Sequence, residues 1–146
     1  MTYSKFQPPK VFAYLQYVNR DSLHGALIRV LPGFFVKRPE NFSSIVLQQE
    51  QFFTFFPVSA AVNRGIVTIM ANEAIPESAR KMPVLRTPGG IDKRGKILNW
   101  WILDGESKQL VSELSAEQKN LSIASVMNDT MLVHRIVEGW SPSDWV

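Results

Sequence analysis

Val11-Phe12-Ala13-Tyr14-Leu15-Gln16-Tyr17-Val18, followed by Asn19-Arg20-Asp21-Ser22 and then Gly25-Ala26-Leu27-Ile28-Arg29-Val30-Leu31, decides how this chain folds. Both outer runs are rich in the aromatic and β-branched residues that suit a pleated, half-buried surface, and the polar four between them are turn formers. Two such runs around a turn predict an antiparallel hairpin. Pro32-Gly33 closes the second run, because proline presets a turn φ and glycine admits a positive one.

The same punctuation continues outward. Gln51-Phe52-Phe53-Thr54-Phe55-Phe56 places rings on both faces of any strand, so it predicts a central strand or one covered on both sides. Residues 58–65 combine helix formers with a terminal Gly65, predicting a helix of about two turns. Residues 66–70 are β-branched and read as the next strand. Pro76 can start one helical turn, and residues 83–87 read as a short edge strand because proline cannot donate to a ladder. Residues 88–96 hold three glycines and one long apolar side chain, Ile91, and read as an exposed mobile loop. Residues 97–103 form a strand that Asp104-Gly105, a strong hairpin signal, returns into residues 109–111. Ser115 and Gln118 have capping-box spacing, and Asn128 through Gly139 reads as a capped helix of about ten residues. The expected fold class is therefore α+β: a single domain over residues 1–146, mainly antiparallel β-sheet with two or three short helices. Partial closure of the sheet into a barrel is one arrangement open to it, and residues 1–10 are expected as a loosely ordered N-terminal arm.

A chain of 146 residues, 45% hydrophobic and with 9 Phe, 4 Trp and 3 Tyr, can bury enough surface to offset its ordering entropy. It has no cysteine, which removes disulfides, thiolate metal sites and cysteine nucleophiles and fits a reducing compartment. The first ten residues contain no apolar signal core before Pro8-Pro9, and no stretch approaches the roughly 18 apolar residues of a membrane span. A cytoplasmic protein with no membrane association is the expectation. The net charge of +3 is unevenly spread. Six bases (Arg80, Lys81, Arg86, Lys93, Arg94, Lys96) face a single acid, Asp92, between residues 80 and 96, whereas the sequence from Ile97 onward has three bases and seven acids. A basic centre beside an acidic C-terminal third can steer a charged partner, and it can equally be a solvated surface with scattered counter-charges. The acidic third opposes a phosphate-tracking face, so no nucleic-acid partner is expected.

The composition limits the chemistry that the chain can carry. Neither of its two histidines, His24 and His134, sits in a zinc-binding pattern, so no metal and no cofactor is expected. Asp21 lies three residues before His24, where a carboxylate can orient the imidazole and raise its basicity, although turn chemistry is the plainer role for Asp21 and Ser22. His134 falls on the predicted last helix, five residues beyond Asp129. No serine has the nucleophile-elbow context. Pro88-Gly89-Gly90 beside lysines offers a weak anion cradle. In Trp100-Trp101, neighbours on one strand face opposite ways, so one ring can enter the core while the other meets solvent, a helix or a partner.

The segments Gly25-Ala26-Leu27-Ile28-Arg29-Val30-Leu31-Pro32-Gly33, Trp100-Trp101-Ile102-Leu103-Asp104-Gly105 and Glu113-Leu114-Ser115-Ala116-Glu117-Gln118 occur in order, followed by Asn128-Asp129-Thr130, Arg135-Ile136 and Gly139-Trp140-Ser141-Pro142. In this order the chain resembles the bacterial group called immunity protein twenty-six, also associated with a small phosphotriesterase. The resemblance implies a small β-rich protein that neutralises a cognate bacterial toxin by direct contact or, as the alternative, hydrolyses phosphotriesters. For the binding function, Trp101, Arg94, Lys96, Asp104 and Glu106 are the expected contact residues, grouped around the basic loop and the Asp104-Gly105 turn. For the hydrolase, His24 or His134 must meet a carboxylate such as Asp21 in one pocket.

Overall fold

A computed structural model describes residues 11–145, so the expected arm at residues 1–10 lies outside the described part. The hairpin forms as predicted: β1 (Leu15–Asp21) pairs antiparallel with β2 (Gly25–Val30), with an irregularity between Tyr17 and Asn19. β3 (Phe52–Phe55) flanks the other side of β2 and completes a three-stranded sheet. β2 is buried along its length because both of its faces are covered. Ile28 and Val30 join Phe52, Phe56, Met127 and Leu132 on one side, while Leu27 joins Phe55, Ala79 and Leu85 on the other. The expected double coverage of the phenylalanine run holds, with Phe52, Thr54 and Phe55 all buried.

The second sheet has the order β6-β5-β4-β7, built from β4 (Leu85–Pro88), β5 (Trp100–Asp104), β6 (Ser107–Val111) and β7 (Ser122–Ile123). Its pairs are antiparallel except β4 with β7, which run parallel. The sheets meet where β3 leans on the segment after β7. Phe53 N donates to Ser122 Oγ at 2.9 Å, Phe55 N to the Ser125 carbonyl at 3.2 Å, and Met127 N to the Phe55 carbonyl at 2.9 Å. This local bridge joins two separate sheets, and they do not close into a barrel.

Among the described residues four short helices surround the sheets, where two or three were expected: α1 (Ser43–Val46), α2 (Val58–Asn63), α3 (Glu77–Arg80) and α4 (Asp129–Glu138). The predicted caps of α4 are present. Asn128 Oδ1 accepts from Met131 N at 2.8 Å, and Gly139 adopts the left-handed conformation at φ 68°. The expected helix at Ser115 is a single 3-10 turn over Gln118–Asn120, capped reciprocally by Ser115 and Gln118.

Three other expectations are corrected. Residues 66–70 form no strand, because the free side of β3 is already occupied by residues 122–127. The amides of Ile66 and Val67 instead turn back to the Ala61 carbonyl. β4 is an interior strand between β5 and β7, because Pro83 precedes it and Pro88 stands at its last position, so neither proline interrupts the ladder. Residues 88–96 are no loose loop. They extend the β4–β5 hairpin through a Gly89 N to Asn99 O bond of 2.9 Å and an Ile91–Ile97 bridge, and Asp92 Oδ1 closes the tip by accepting from Arg94 N and Lys96 N, each at 2.8 Å.

Two arginines are almost completely buried. Arg29, 1% exposed, donates to Gln16 Oε1 at 2.8 Å and to the carbonyls of Gln48 and Val46, with Glu50 at 3.5 Å as its counter-charge. Arg86, 0% exposed, has no such carboxylate among the described residues. It donates to the carbonyls of Leu121, Lys119 and Pro142, and its guanidinium carbon lies 4.3 Å from the centre of the Trp100 ring. Burial pushes its pKa down to about 10, which leaves it charged at neutral pH. Arg86→Ala leaves three carbonyls without their donor and opens a cavity, so unfolding in urea should show a loss of about 3–5 kcal/mol. Arg86→Lys should recover little, since one ammonium lacks the planar fork that reaches several acceptors. An Arg86→Ala protein as stable as the parent would refute this role.

Candidate functional site

The five expected contact residues divide between the two ends of β5. In an antiparallel meander successive turns lie at opposite ends of the shared strand, so Arg94 and Lys96 mark the tip before β5 while Asp104 and Glu106 mark the turn after it. Ile97 and Asp104 are seven positions apart, roughly 23 Å at about 3.3 Å per residue. They do not form one cluster. The tryptophan pair divides as the alternation requires: Trp100 is buried against Arg86 and Trp145, and Trp101 is half-buried on the other face with Lys108 Nζ 5.0 Å from its ring centre. Trp101 pairs laterally with Thr87 and Leu110.

The anion cradle is not available at Gly89-Gly90. Gly89 N is bonded to the Asn99 carbonyl and Gly90 N to Asn99 Oδ1, and a Cβ at position 89 would lie 2.2 Å from that same oxygen. The glycines make room for an asparagine side chain that ties the hairpin together.

The histidines have different surroundings. His134 lies on the exposed side of α4 with Nε2 3.2 Å from Glu138, an i,i+4 pair in solvent that belongs to no described pocket. His24 Nδ1 lies 2.6 Å from Asp21 Oδ2, its ring stacks on buried Phe55 with centres 4.7 Å apart, and Asp21 Oδ1 also accepts from Leu23 N at 3.1 Å. The two roles weighed for Asp21 are therefore both filled, one by each carboxylate oxygen. His24 hydrogen bonding, with the Leu23 amide second, holds the Asp21 carboxyl below its ordinary value. The pair lines a cavity of about 280 Å³ between the β1–β2 turn and the β5–β6 turn, where Gly105 contributes backbone at φ 61°. Among the described residues no group of three or more His, Asp or Glu side chains gathers to hold a metal, and no helix is long and apolar enough to cross a membrane.

A second concavity, larger than the Asp21–His24 cavity, is one that sequence reasoning missed. A groove of about 960 Å³ runs between the start of β1, residues 66–75, α2 and α4. Its walls carry exposed apolar side chains, including Ile69 at 74% exposure, Val137 at 66% and Val133 at 55%. On α4, Leu132 and Ile136 take the core side, so Val133 and Val137, one position further around the helix, form a second apolar stripe. Two signals mark the groove in hindsight: that second stripe, and a β-branched run at residues 66–70 with no strand to pair with.

A scan against protein-family models, a search of curated proteins and a search of solved structures each find no match. Fold and surfaces thus define an architectural class, a two-sheet α+β domain with an open apolar groove.

The depressed Asp21 pKa sets a pH window. A carboxylate whose folded pKa lies below its unfolded value stabilises the fold fully above that unfolded value, near 3.8, and loses the contribution as pH falls through the folded one. As pH falls below that unfolded value and through the lower folded one, protection of the Leu23 amide from hydrogen exchange and the His24 ring resonances should change together. Asp21→Ala should remove that acid transition; its persistence in the variant would count against the assignment.

Proposed function

We propose that this chain works by binding another protein, and that the partner is a bacterial toxin neutralised by direct contact, as the resemblance to immunity protein twenty-six implies. The observation that supports the binding half is the apolar groove. A groove lined mainly by apolar side chains, several of them more than half exposed, offers a place where a partner protein can bury apolar surface. Groove and partner would exclude water from Ile69, Val133 and Val137, whose burial is worth about 25 cal/mol per Å². The basic hairpin tip, with Lys93, Arg94 and Lys96, contributes no lining residue to the groove and would act at longer range, on association rate and salt dependence. Of the two functions that the resemblance implies, binding is the one these surfaces favour, because the groove is far larger than the Asp21–His24 cavity.

The test is co-expression with the candidate toxin and measurement of both survival and complex affinity. Ile69→Glu and Val137→Glu alter exposed side chains and should leave the fold intact while weakening the complex about thirtyfold or more and abolishing protection. Lys96→Glu should slow association and reduce its salt dependence with a smaller effect on the dissociation rate. Full protection and unchanged affinity in both groove variants would refute the groove as the contact surface.

A further inference from the structure

At the other end of β1 from the groove, the Asp21–His24 cavity has a polar wall that the binding function leaves unused. The imidazole of His24 is fixed on two sides. Asp21 Oδ2 engages Nδ1 at 2.6 Å, and Phe55, itself 1% exposed, supports the ring face at a 21° interplanar angle. The depressed pKa of Asp21 keeps its carboxyl ionised, and an ionised carboxylate can only accept hydrogen bonds, so Nδ1 carries a hydrogen and, in the neutral form of the ring, Nε2 presents a lone pair. No side chain among the described residues bonds to Nε2.

The rest of the lining divides between apolar side chains around the Phe55 ring, Met82, Pro83, Leu85, Leu103 and Ala124, and a polar side with Arg20 and Ser22. An apolar wall with a few placed polar groups is the general pattern of a small-molecule site. The cavity of about 280 Å³ equals roughly nine water volumes at about 30 Å³ each, which accommodates a single substituted ring. The Met82 thioether makes favourable contacts with aromatic edges.

We propose that this cavity binds a small apolar molecule bearing one hydroxyl donor, of the phenol class, whose O–H donates to His24 Nε2. The ring would lie against Met82 and Leu103, and Asp21 serves as the positioning residue that fixes which nitrogen accepts. The site is independent of the groove, so loss of toxin binding and loss of phenol binding are separate results.

The experiment is a titration of the full chain with phenol and with benzonitrile, which has a similar size and an acceptor but no donor, followed by the His24 ring and Met82 methyl resonances. Phenol should give saturable shifts and bind about tenfold more tightly than benzonitrile, the difference one buried hydrogen bond makes. Asp21→Asn keeps an oxygen for the Leu23 amide but donates to Nδ1, which moves the ring hydrogen to Nε2, so the order of the two ligands should reverse. His24→Phe keeps an aromatic ring for Phe55 to stack on and should erase the difference between them. The absence of saturable shifts with phenol, equal binding of the two probes by the parent, or an unchanged order in folded Asp21→Asn would each overturn the proposal. A preference for phenol that survives in His24→Phe would also overturn it, whether or not Asp21→Asn folds.

Discussion

The architecture depends on two guanidinium groups that are removed from water and met by backbone carbonyls. A buried charge is tolerated only where the groups around it replace its lost hydration, and here the replacements come from helix ends, short turns and the chain beside them: Gln48 and Val46 for Arg29, Leu121, Lys119 and Pro142 for Arg86. Each arginine therefore fixes segments that have little regular structure of their own. Arg29 holds the end of α1 against β2, with Glu50 as counter-charge. Arg86 does the same with no carboxylate among the described residues, relying on carbonyl dipoles and the face of Trp100. Because Arg86 has fixed both the 3-10 turn near Lys119 and the chain near Pro142, β7 can lie parallel to β4 and present Ser122 to the neighbouring sheet.

Local chemistry made much of this fold legible. The β1–β2 hairpin, the doubly covered phenylalanine strand, the β5–β6 turn and both caps of α4 follow from residues within a few positions of one another, and the sequence indicates them directly. What it does not indicate is competition between distant segments. Residues 66–70 have strand composition, yet the edge they would pair with is taken by residues 122–127, more than fifty positions away. Pro83 argues for an edge strand until its exact register is known, and the glycines at 89 and 90 read as a loose loop until Asn99 is seen filling the space that they leave.

The candidate surfaces were legible in part for the same reason. Asp21 and His24 are three residues apart, so their contact is a local matter and the sequence points to it; the stacking on Phe55 that locks the ring is not local and has no counterpart in spacing. Trp101, Arg94, Lys96, Asp104 and Glu106 are close along the chain, but a strand carries neighbours in sequence to opposite ends of a sheet. Sequence proximity implies a shared surface only across a turn. The groove is the converse case: its walls come from the first hairpin, the irregular stretch after α2, and α4, and no window of the sequence contains them together.

The bridge between the sheets also has a consequence for the order in which the protein is made. The outer edge of β3 is completed by Ser122 and its successors, and Phe53 and Ser122 are 69 residues apart. At about 5–20 residues per second of synthesis, that edge waits roughly 3–14 s for its partner. During that interval the nascent chain presents an unpaired phenylalanine-rich strand, the kind of template on which other chains assemble. Slow translation between residues 56 and 122 prolongs that exposure, so the yield of native protein in a cell is coupled to ribosome speed over that stretch.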